Sequence, residues 1–120
     1  MAKNISFELI VTVVDRGNAD FVVEATRSAG ASGGTIIYGR GSGIHEKDRF
    51  LGVAIQPEKE VVLTLVKKAE KKQIMQSILD NTNITEAGKG ICFCLPVLNV
   101  AGINHELQKK KGKDVLEEEN

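Results

Sequence analysis

The sequence predicts an α+β fold in which a four-stranded antiparallel sheet carries two helices on one face. One reason is a pattern of strand, helix and strand that occurs over residues 6–41 and again over residues 60–100. The other is that right-handed crossovers lay both helices on the same side of a sheet. The simplest closed form of this βαβ-βαβ order is the ferredoxin-like arrangement. At 120 residues the chain has the length of one such domain.

The first βαβ unit begins with residues 6–15, whose many β-branched side chains predict a strand. Residues 18–30 follow as a predicted helix that ends at Gly30, a residue type that favours helix C-termini. Residues 33–41 predict the next strand. The apolar face of the helix is predicted to hold Phe21, Val22, Ala25 and Ala29.

The second βαβ unit repeats this order. Residues 60–68 predict a strand, residues 69–81 a helix, and residues 90–100 the last strand of the sheet. The inward face of this helix is predicted to hold Ile74, Met75, Ile78 and Leu79.

Two of the predicted strands are apolar on both faces. In one strand, Val61, Leu63 and Leu65 point away from Val62 and Val66; in the other, Phe7, Leu9, Val11 and Val13 point away from Ile10 and Val14. The helices can cover only one face of the sheet, and the other would be too large an apolar patch for a monomer. We therefore expect a second copy of the chain to cover it, in a number that the pattern does not give.

The composition excludes several classes of partner. Sixteen basic and sixteen acidic residues cancel, so no positive field would draw the chain to nucleic acid. No apolar run approaches the roughly 20 residues that cross a bilayer, and the first residues lack a signal-peptide core. We expect a cytoplasmic protein that neither binds nucleic acid nor inserts into a membrane.

The two cysteines, Cys92 and Cys94, lie two positions apart in an apolar predicted strand. Their side chains would point to the same face roughly 7 Å apart, beyond comfortable disulfide reach. The two histidines, His45 and His105, lie in separate polar segments, so the cysteines lack further ligands at metal spacing. Free core thiols are the prediction, and no metal site is expected.

Residues 38–50, YGRGSGIHEKDRF, combine three glycines with a cluster of charges. A dinucleotide fingerprint would need glycine at 44 or 46, and a Walker loop would need Gly-Lys-Ser/Thr; neither is present. Acid, base and cation occur at consecutive positions from His45 to Arg49, but adjacent residues of an extended loop rarely converge on one atom. A solvated loop or protein-contact surface is favoured over catalysis.

A second glycine-bearing turn, residues 85–91, leads from the predicted helix into the last strand. Gly88 and Gly90 let backbone amides approach an anion, and Lys89 supplies a positive charge. The sequence alone does not decide between an exposed loop and an anion site.

The segment 104–120 has neighbouring basic and acidic blocks, which are typical of solvated or disordered chain, and a docking tail is the alternative.

In its order of elements and loops, the chain resembles the nitrogen-regulatory P-II signal-transduction proteins from the first strand to about Ile103. Gly41-Ser42-Gly43 stands where a Gly-x-Gly of that family enters the T-loop, which would occupy about 41–57, and the B-loop would occupy about 82–90. The resemblance implies a homotrimer over residues 1–103, with nucleotide sites in clefts between subunits. It also implies T-loops that control a partner enzyme or membrane transporter.

The resemblance also implies candidate site residues. Thr35 matches a threonine near the adenine, and Gly41, Ser42 and Gly43 match the glycine turn beside the nucleotide. In the B-loop, Gly88, Lys89 and Gly90 stand in for the family pattern Thr-Gly-x-x-Gly-x-Gly-Lys with the order of glycine and lysine changed, and arginines expected after the last strand are absent. ATP, ADP or another adenine nucleotide is the implied effector.

The stretch 44–57 contains no tyrosine, so the tyrosine uridylylation of some family members is not expected there. The residues predicted to contact a partner are His45, Glu46, Lys47, Asp48, Arg49 and Phe50.

Two alternative functions stay open. One is a metal- or other anion-responsive trimer, with His45, Glu46 or Asp48 as metal ligands, and the other is a small enzyme on the same fold.

Overall fold

The computed structural model describes residues 5–42, 49–54, 56–103 and 115–117. The elements are β1 (Phe7–Asp15), α1 (Ala19–Ser28), β2 (Thr35–Arg40), β3 (Arg49–Phe50), β4 (Val53–Ala54), β5 (Glu58–Lys67), a 3-10 turn (Lys68–Glu70), α2 (Lys71–Asn81), β6 (Gly90–Val97), β7 (Asn99–Ala101) and β8 (Val115–Glu117).

The central sheet has four strands in the order β2-β5-β1-β6, and every neighbouring pair is antiparallel. Both helices pack on one face of it, so the predicted ferredoxin-like fold is confirmed. Across β1 and β5, Ile10 lies opposite Thr64 and Val14 opposite Glu60. Within the described residues, no helix is long and apolar enough to cross a membrane.

The face of the sheet beneath the helices, the covered face, holds the core. Its buried strand residues are Ile10, Val14, Val62 and Val66, and they cluster with the buried helix residues Ala19, Val22, Ile74 and Ile78. In β1 and β5 buried and less buried positions alternate, as the period of a strand requires. The predicted division of these strands into two faces is therefore confirmed.

The opposite face, the open face, is also apolar. The strand register arranges it in three rows, which are Leu65, Leu9 and Leu95; Thr35, Leu63, Val11 and Phe93; and Ile37, Val61, Val13 and Ile91. Ile37, Leu95 and Ile91 remain 46%, 47% and 57% exposed in the single chain. This patch has no helix over it, as the sequence predicts.

The helices rotate slightly relative to the prediction. Phe21, predicted to face inward, is 59% exposed, and Leu79 is also exposed. The buried positions of α1 are Ala19, Val22, Ala25 and Thr26. Thr26 lies inward because its hydroxyl donates to the carbonyl of Val23 at 2.8 Å, which satisfies its polar group within the helix.

Strand ends also differ from the predicted ones. The strand β5 begins at Glu58, and the strand predicted over 90–100 ends at Val97. After Leu98, β7 pairs with β8, so three residues of the polar tail form a strand. Asn99 pairs with Glu117, so part of the tail lies against β7, the segment that follows the last strand of the central sheet.

Candidate functional site

Both predicted loops lie at one end of the sheet, which we call the loop end. The strand β2 leaves the sheet there at Arg40, which pairs with Glu58 where β5 enters. The strand β6 also enters there, since Gly90 pairs with Val14 near the end of β1. The fold therefore brings the bases of the predicted T-loop and B-loop to the same end of the sheet.

The predicted T-loop leaves the sheet after β2 and returns to it at β5, at neighbouring positions of the two strands. The amide of Gly41 donates to the carbonyl of Pro57 at 3.1 Å, which continues the ladder one step beyond Arg40 and Glu58. A Cβ on Gly41 would meet no atom of the described residues within 4 Å, so these residues do not require glycine there. Ser42 beside it is exposed.

Part of the predicted T-loop forms a short hairpin with a two-residue turn. Arg49 and Phe50 pair with β4, and Leu51 and Gly52 connect the strands with φ angles of 52° and 83°. Two positive φ values at the turn are those of a type I′ hairpin, which glycine favours. In the sequence, Gly52 is the residue that could have indicated this turn. Gly43, His45, Glu46, Lys47 and Asp48 lie outside the described residues.

The B-loop is a compact turn held by its own backbone. The amide of Lys89 donates to the carbonyl of Glu86 at 3.1 Å, and the Lys89 side chain is exposed. Gly90 has a φ of 155°, and a Cβ there would lie 2.6 Å from the carbonyl oxygen of Val13. Gly90 is therefore required by close packing against β1, whatever else it contacts.

The candidate effector residues fall on opposite edges of the sheet. Thr35 and Gly41 lie on and just beyond the edge strand β2, while Gly88, Lys89 and Gly90 lead into the other edge strand, β6. Three strand spacings of about 4.8 Å separate these edges, or about 14 Å. A single chain does not bring the two groups together. Thr35 is exposed on the open face, opposite Leu63.

A cavity of about 560 Å³ lies at the loop end and was not predicted from the sequence. Its lining residues are Arg16, Gly17, Tyr38, Gly39, Arg40, Glu58, Lys59 and Glu60. Several of these side chains are tied by polar contacts. Arg16 forms an ion pair with Glu58, and Lys59 pairs with Asp15 at 2.7 Å. The buried Glu60 accepts a hydrogen bond from the amide of Ala19 at 2.8 Å, at the start of α1.

The two cysteines are free and half-buried, and they pack against the core of the covered face. Burial raises the pKa of the Cys92 thiol, and a hydrogen bond from Thr12 opposes the rise only in part. The prediction of free core thiols is confirmed. Among the described residues no group of three or more His, Cys, Asp or Glu could hold a metal ion.

Beside these thiols, Glu8 lies buried and 3.3 Å from the ammonium of Lys71. Burial alone would raise the pKa of Glu8, but hydrogen bonds with Cys94 and Lys71 and the charge of Lys71 outweigh it, so the pKa is lowered. This pair joins the start of α2 to β1 at the end of the sheet opposite to the loop end.

Comparisons with known proteins bear on this geometry. The family model described as nitrogen regulatory protein P-II matches residues 7–106. No curated protein matches the chain. A solved structure described as the crystal structure of Arabidopsis thaliana PII bound to citrate has a TM-score of 0.63 and 24% sequence identity, and the match covers 80% of this chain and 81% of that one. This structure is similar in fold.

Proposed function

The chain belongs to the nitrogen regulatory protein P-II family, and on that premise we propose that it is a cytoplasmic signal-transduction regulator and not an enzyme. In this proposal it forms a homotrimer, binds a small effector in clefts between subunits, and controls a partner enzyme or membrane transporter. The T-loop, residues 41–57, carries the effector state to the partner.

One observation carries the inter-subunit site: the candidate residues are divided between the two edges of the sheet. Thr35 and Gly41 belong to the β2 edge, whereas Gly88 and Lys89 precede the β6 edge about 14 Å away. They can share a ligand only when the β2 edge of one copy faces the β6 edge of the next. Such a head-to-tail contact forms a closed ring if the rotation closes.

The open face supports the same assembly. Its three apolar rows include Phe93 and Ile91, which are exposed in the single chain. Burial stabilises by about 25 cal/mol for each Å² of apolar surface removed from water. A ring of copies that turns this face toward its axis would remove it from solvent, which accounts for a sheet that is apolar on both sides.

The effector proposed for the cleft is an adenine nucleotide with few phosphates. Thr35 is exposed, so its hydroxyl can contact a base, and the described residues leave open space beside Gly41. Lys89 is the only cationic residue between positions 82 and 90, and Glu86 lies close to it in the same turn. One cation balances a single phosphate better than the roughly three to four charges of a triphosphate.

A thermal-shift screen tests this proposal. The ligands are AMP, ADP, ATP, 2-oxoglutarate, bicarbonate and divalent metals, the last for the metal-responsive alternative. A ligand at 100 times its dissociation constant adds about 2.7 kcal/mol to the free energy of unfolding, enough for a clear shift. We expect AMP or ADP to shift the transition and Thr35→Val and Lys89→Gln to reduce that shift.

The matched control is Lys72→Gln, which removes an exposed lysine at the far end of the sheet. It should leave the nucleotide shift unchanged. If no adenine nucleotide shifts the wild-type protein, the nucleotide effector is wrong. If the shift persists in both site variants, the nucleotide binds elsewhere.

A further inference from the structure

The cavity at the loop end lies on the covered side of the sheet, away from Thr35. The strands β2 and β5 form its floor, where Tyr38 pairs with Glu60 and Arg40 with Glu58. Since Glu60 and Val62 alternate with the open-face residue Val61, these pairs face the helices. The turn between β1 and α1, at Arg16 and Gly17, forms the wall. The proposed effector cleft and this cavity thus use opposite faces of the edge strand.

The cavity presents the guanidinium of Arg40, for which the described residues supply no partner. Arg40 is exposed, and within the described part of the chain no hydrogen bond or ion pair engages its side chain. Tyr38, two positions earlier on the same face of β2, is 74% exposed. A guanidinium binds carboxylates through paired hydrogen bonds, and an aromatic ring offers a flat apolar surface beside it.

The same cavity presents carboxylates directly across the strand from these groups. In Glu58 the Oε1 atom pairs with Arg16, and in Glu60 the Oε1 atom accepts from the Ala19 amide. Each carboxylate has a second oxygen that can accept from a ligand. Side chains that pair directly across two antiparallel strands have Cβ atoms roughly 5 Å apart. A positive and a negative recognition group therefore stand side by side.

This arrangement selects the charge type of a ligand. A dianion that approached Arg40 would be repelled by Glu58 and Glu60, and a simple cation would be repelled by Arg40 and Arg16. A molecule with an anionic and a cationic group on neighbouring atoms meets both requirements. The volume of about 560 Å³ lies in the range of small-molecule sites and leaves room for a side chain beside Tyr38.

We propose that this cavity binds a free α-amino acid as its zwitterion. The carboxylate of the amino acid binds the guanidinium of Arg40, its ammonium donates to Glu58 and Glu60, and its side chain packs on the ring of Tyr38. Because the cavity adjoins Arg40 and Glu58, where the T-loop leaves and enters the sheet, an occupant contacts the base of that loop.

Isothermal titration calorimetry tests the proposal with the proteinogenic L-amino acids as probes, each at millimolar concentration. For the amino acid that binds best, the titration is repeated with its decarboxylated amine and with its deaminated acid. We expect each analogue, and each of the variants Arg40→Gln and Glu58→Gln, to bind about tenfold more weakly, the loss of one charge-assisted hydrogen bond. Tyr38→Ser should weaken binding without changing the preference for the zwitterion.

Arg27→Gln is the matched control, because it removes an exposed arginine in the last turn of α1, away from the cavity. It should bind as the wild type does. The proposal is overturned if no amino acid binds, if the deaminated acid binds as tightly as the amino acid, or if both charge variants bind normally. The nucleotide shift of Arg40→Gln should equal that of the wild type, so this site and the nucleotide cleft can fail separately.

Discussion

Both faces of the sheet carry apolar side chains at their centre, but the surroundings of the two faces are opposite. On the covered face, Ile10 and Val62 are fully buried by the two helices of the same chain. On the open face, the neighbouring positions Val11 and Leu63 are only half-buried, and Phe93 beside them is 41% exposed. The covered face is completed within one chain, whereas the open face would be completed by another copy in the proposed trimer.

This difference shows that burial in a single chain does not measure how strongly a position is constrained. Val11 has a half-buried side chain in one chain, yet it lies in the middle row of the open face, between Leu63 and Phe93. In the proposed trimer the side chain of Val11 would be as fully removed from water as that of Ile10. Substitutions on the two faces should therefore affect different quantities: folding on the covered face and assembly on the open face.

The largest effect is expected from Val11→Asp. A carboxylate without a partner in a buried apolar contact costs about 3 to 5 kcal/mol, so self-association should weaken by about 100-fold or more. Sedimentation velocity would show the change as a shift from the assembled form to the single chain.

The control for this variant is Phe21→Asp, which places the same charge on the solvent side of α1, where Phe21 is 59% exposed. It should assemble normally. A Val11→Asp protein that assembles as the wild type does would refute an interface on the open face.

The next effect is expected from Ile10→Ala, which removes a fully buried side chain from the covered face. Large-to-small changes of this kind cost about 3 kcal/mol, because the cavity left behind does not close fully. The measurement is urea unfolding in the Val11→Asp background, where assembly no longer contributes. In that background Leu9→Ala, on the open face, should cost less than about 1 kcal/mol. Equal costs would show that the faces do not differ in the single chain.

Two glycines at the loop end give a third test. Gly90→Ala should cost about 2 kcal/mol, since the new Cβ would lie 2.6 Å from the Val13 carbonyl oxygen and the φ of 155° is strained for other residues. The new Cβ of Gly41→Ala meets no atom of the described residues within 4 Å, so this variant should change the free energy of unfolding by no more than about 0.5 kcal/mol. If Gly41→Ala nevertheless weakens nucleotide binding, Gly41 is needed by the effector and not by the fold. Equal losses of stability would contradict this assignment.

The helices and strands could be predicted from the sequence because their apolar residues recur with a clear period. Features that depend on hydrogen bonds or on the pairing of strands could not. Alternation in β1 and β5 is enough to place Ile10 and Val62 on one face. It cannot set the rotation of α1, because hydrophobicity favours Phe21 inward while Thr26 satisfies its hydroxyl on Val23 and lies inward instead. An apolar pattern contains no information on such internal hydrogen bonds.

The same limit applies to the candidate site. Glycine and lysine patterns indicate Gly41 and Lys89 from the sequence alone, because they are local. The cavity depends on the register that sets Arg40 opposite Glu58, and a shift of one residue would move these side chains to the other face. Register follows from the complete sheet, so charged residues in strands such as Glu58 give no signal of their own.

The smallest effect concerns Glu8, a carboxylate of the covered face that is paired with Lys71. The pKa of Glu8 is lowered in the folded protein, so Glu8 contributes stability that is present above its ordinary pKa and is lost as the pH falls through the folded value. Urea unfolding of wild type and Glu8→Gln should therefore differ most near neutral pH and converge in acid. Glu58→Gln removes an exposed ion pair with Arg16 and should lower the free energy of unfolding by less than about 1 kcal/mol. Lys71→Met removes a hydrogen bond and a positive charge that both lower the pKa of Glu8, so this pKa should be higher than in the wild type, while the hydrogen bond with Cys94 still opposes the effect of burial. A wild-type advantage over Glu8→Gln that grows on acidification would contradict the sign of the shift, and with it the view that Lys71 makes a charge tolerable on the covered face.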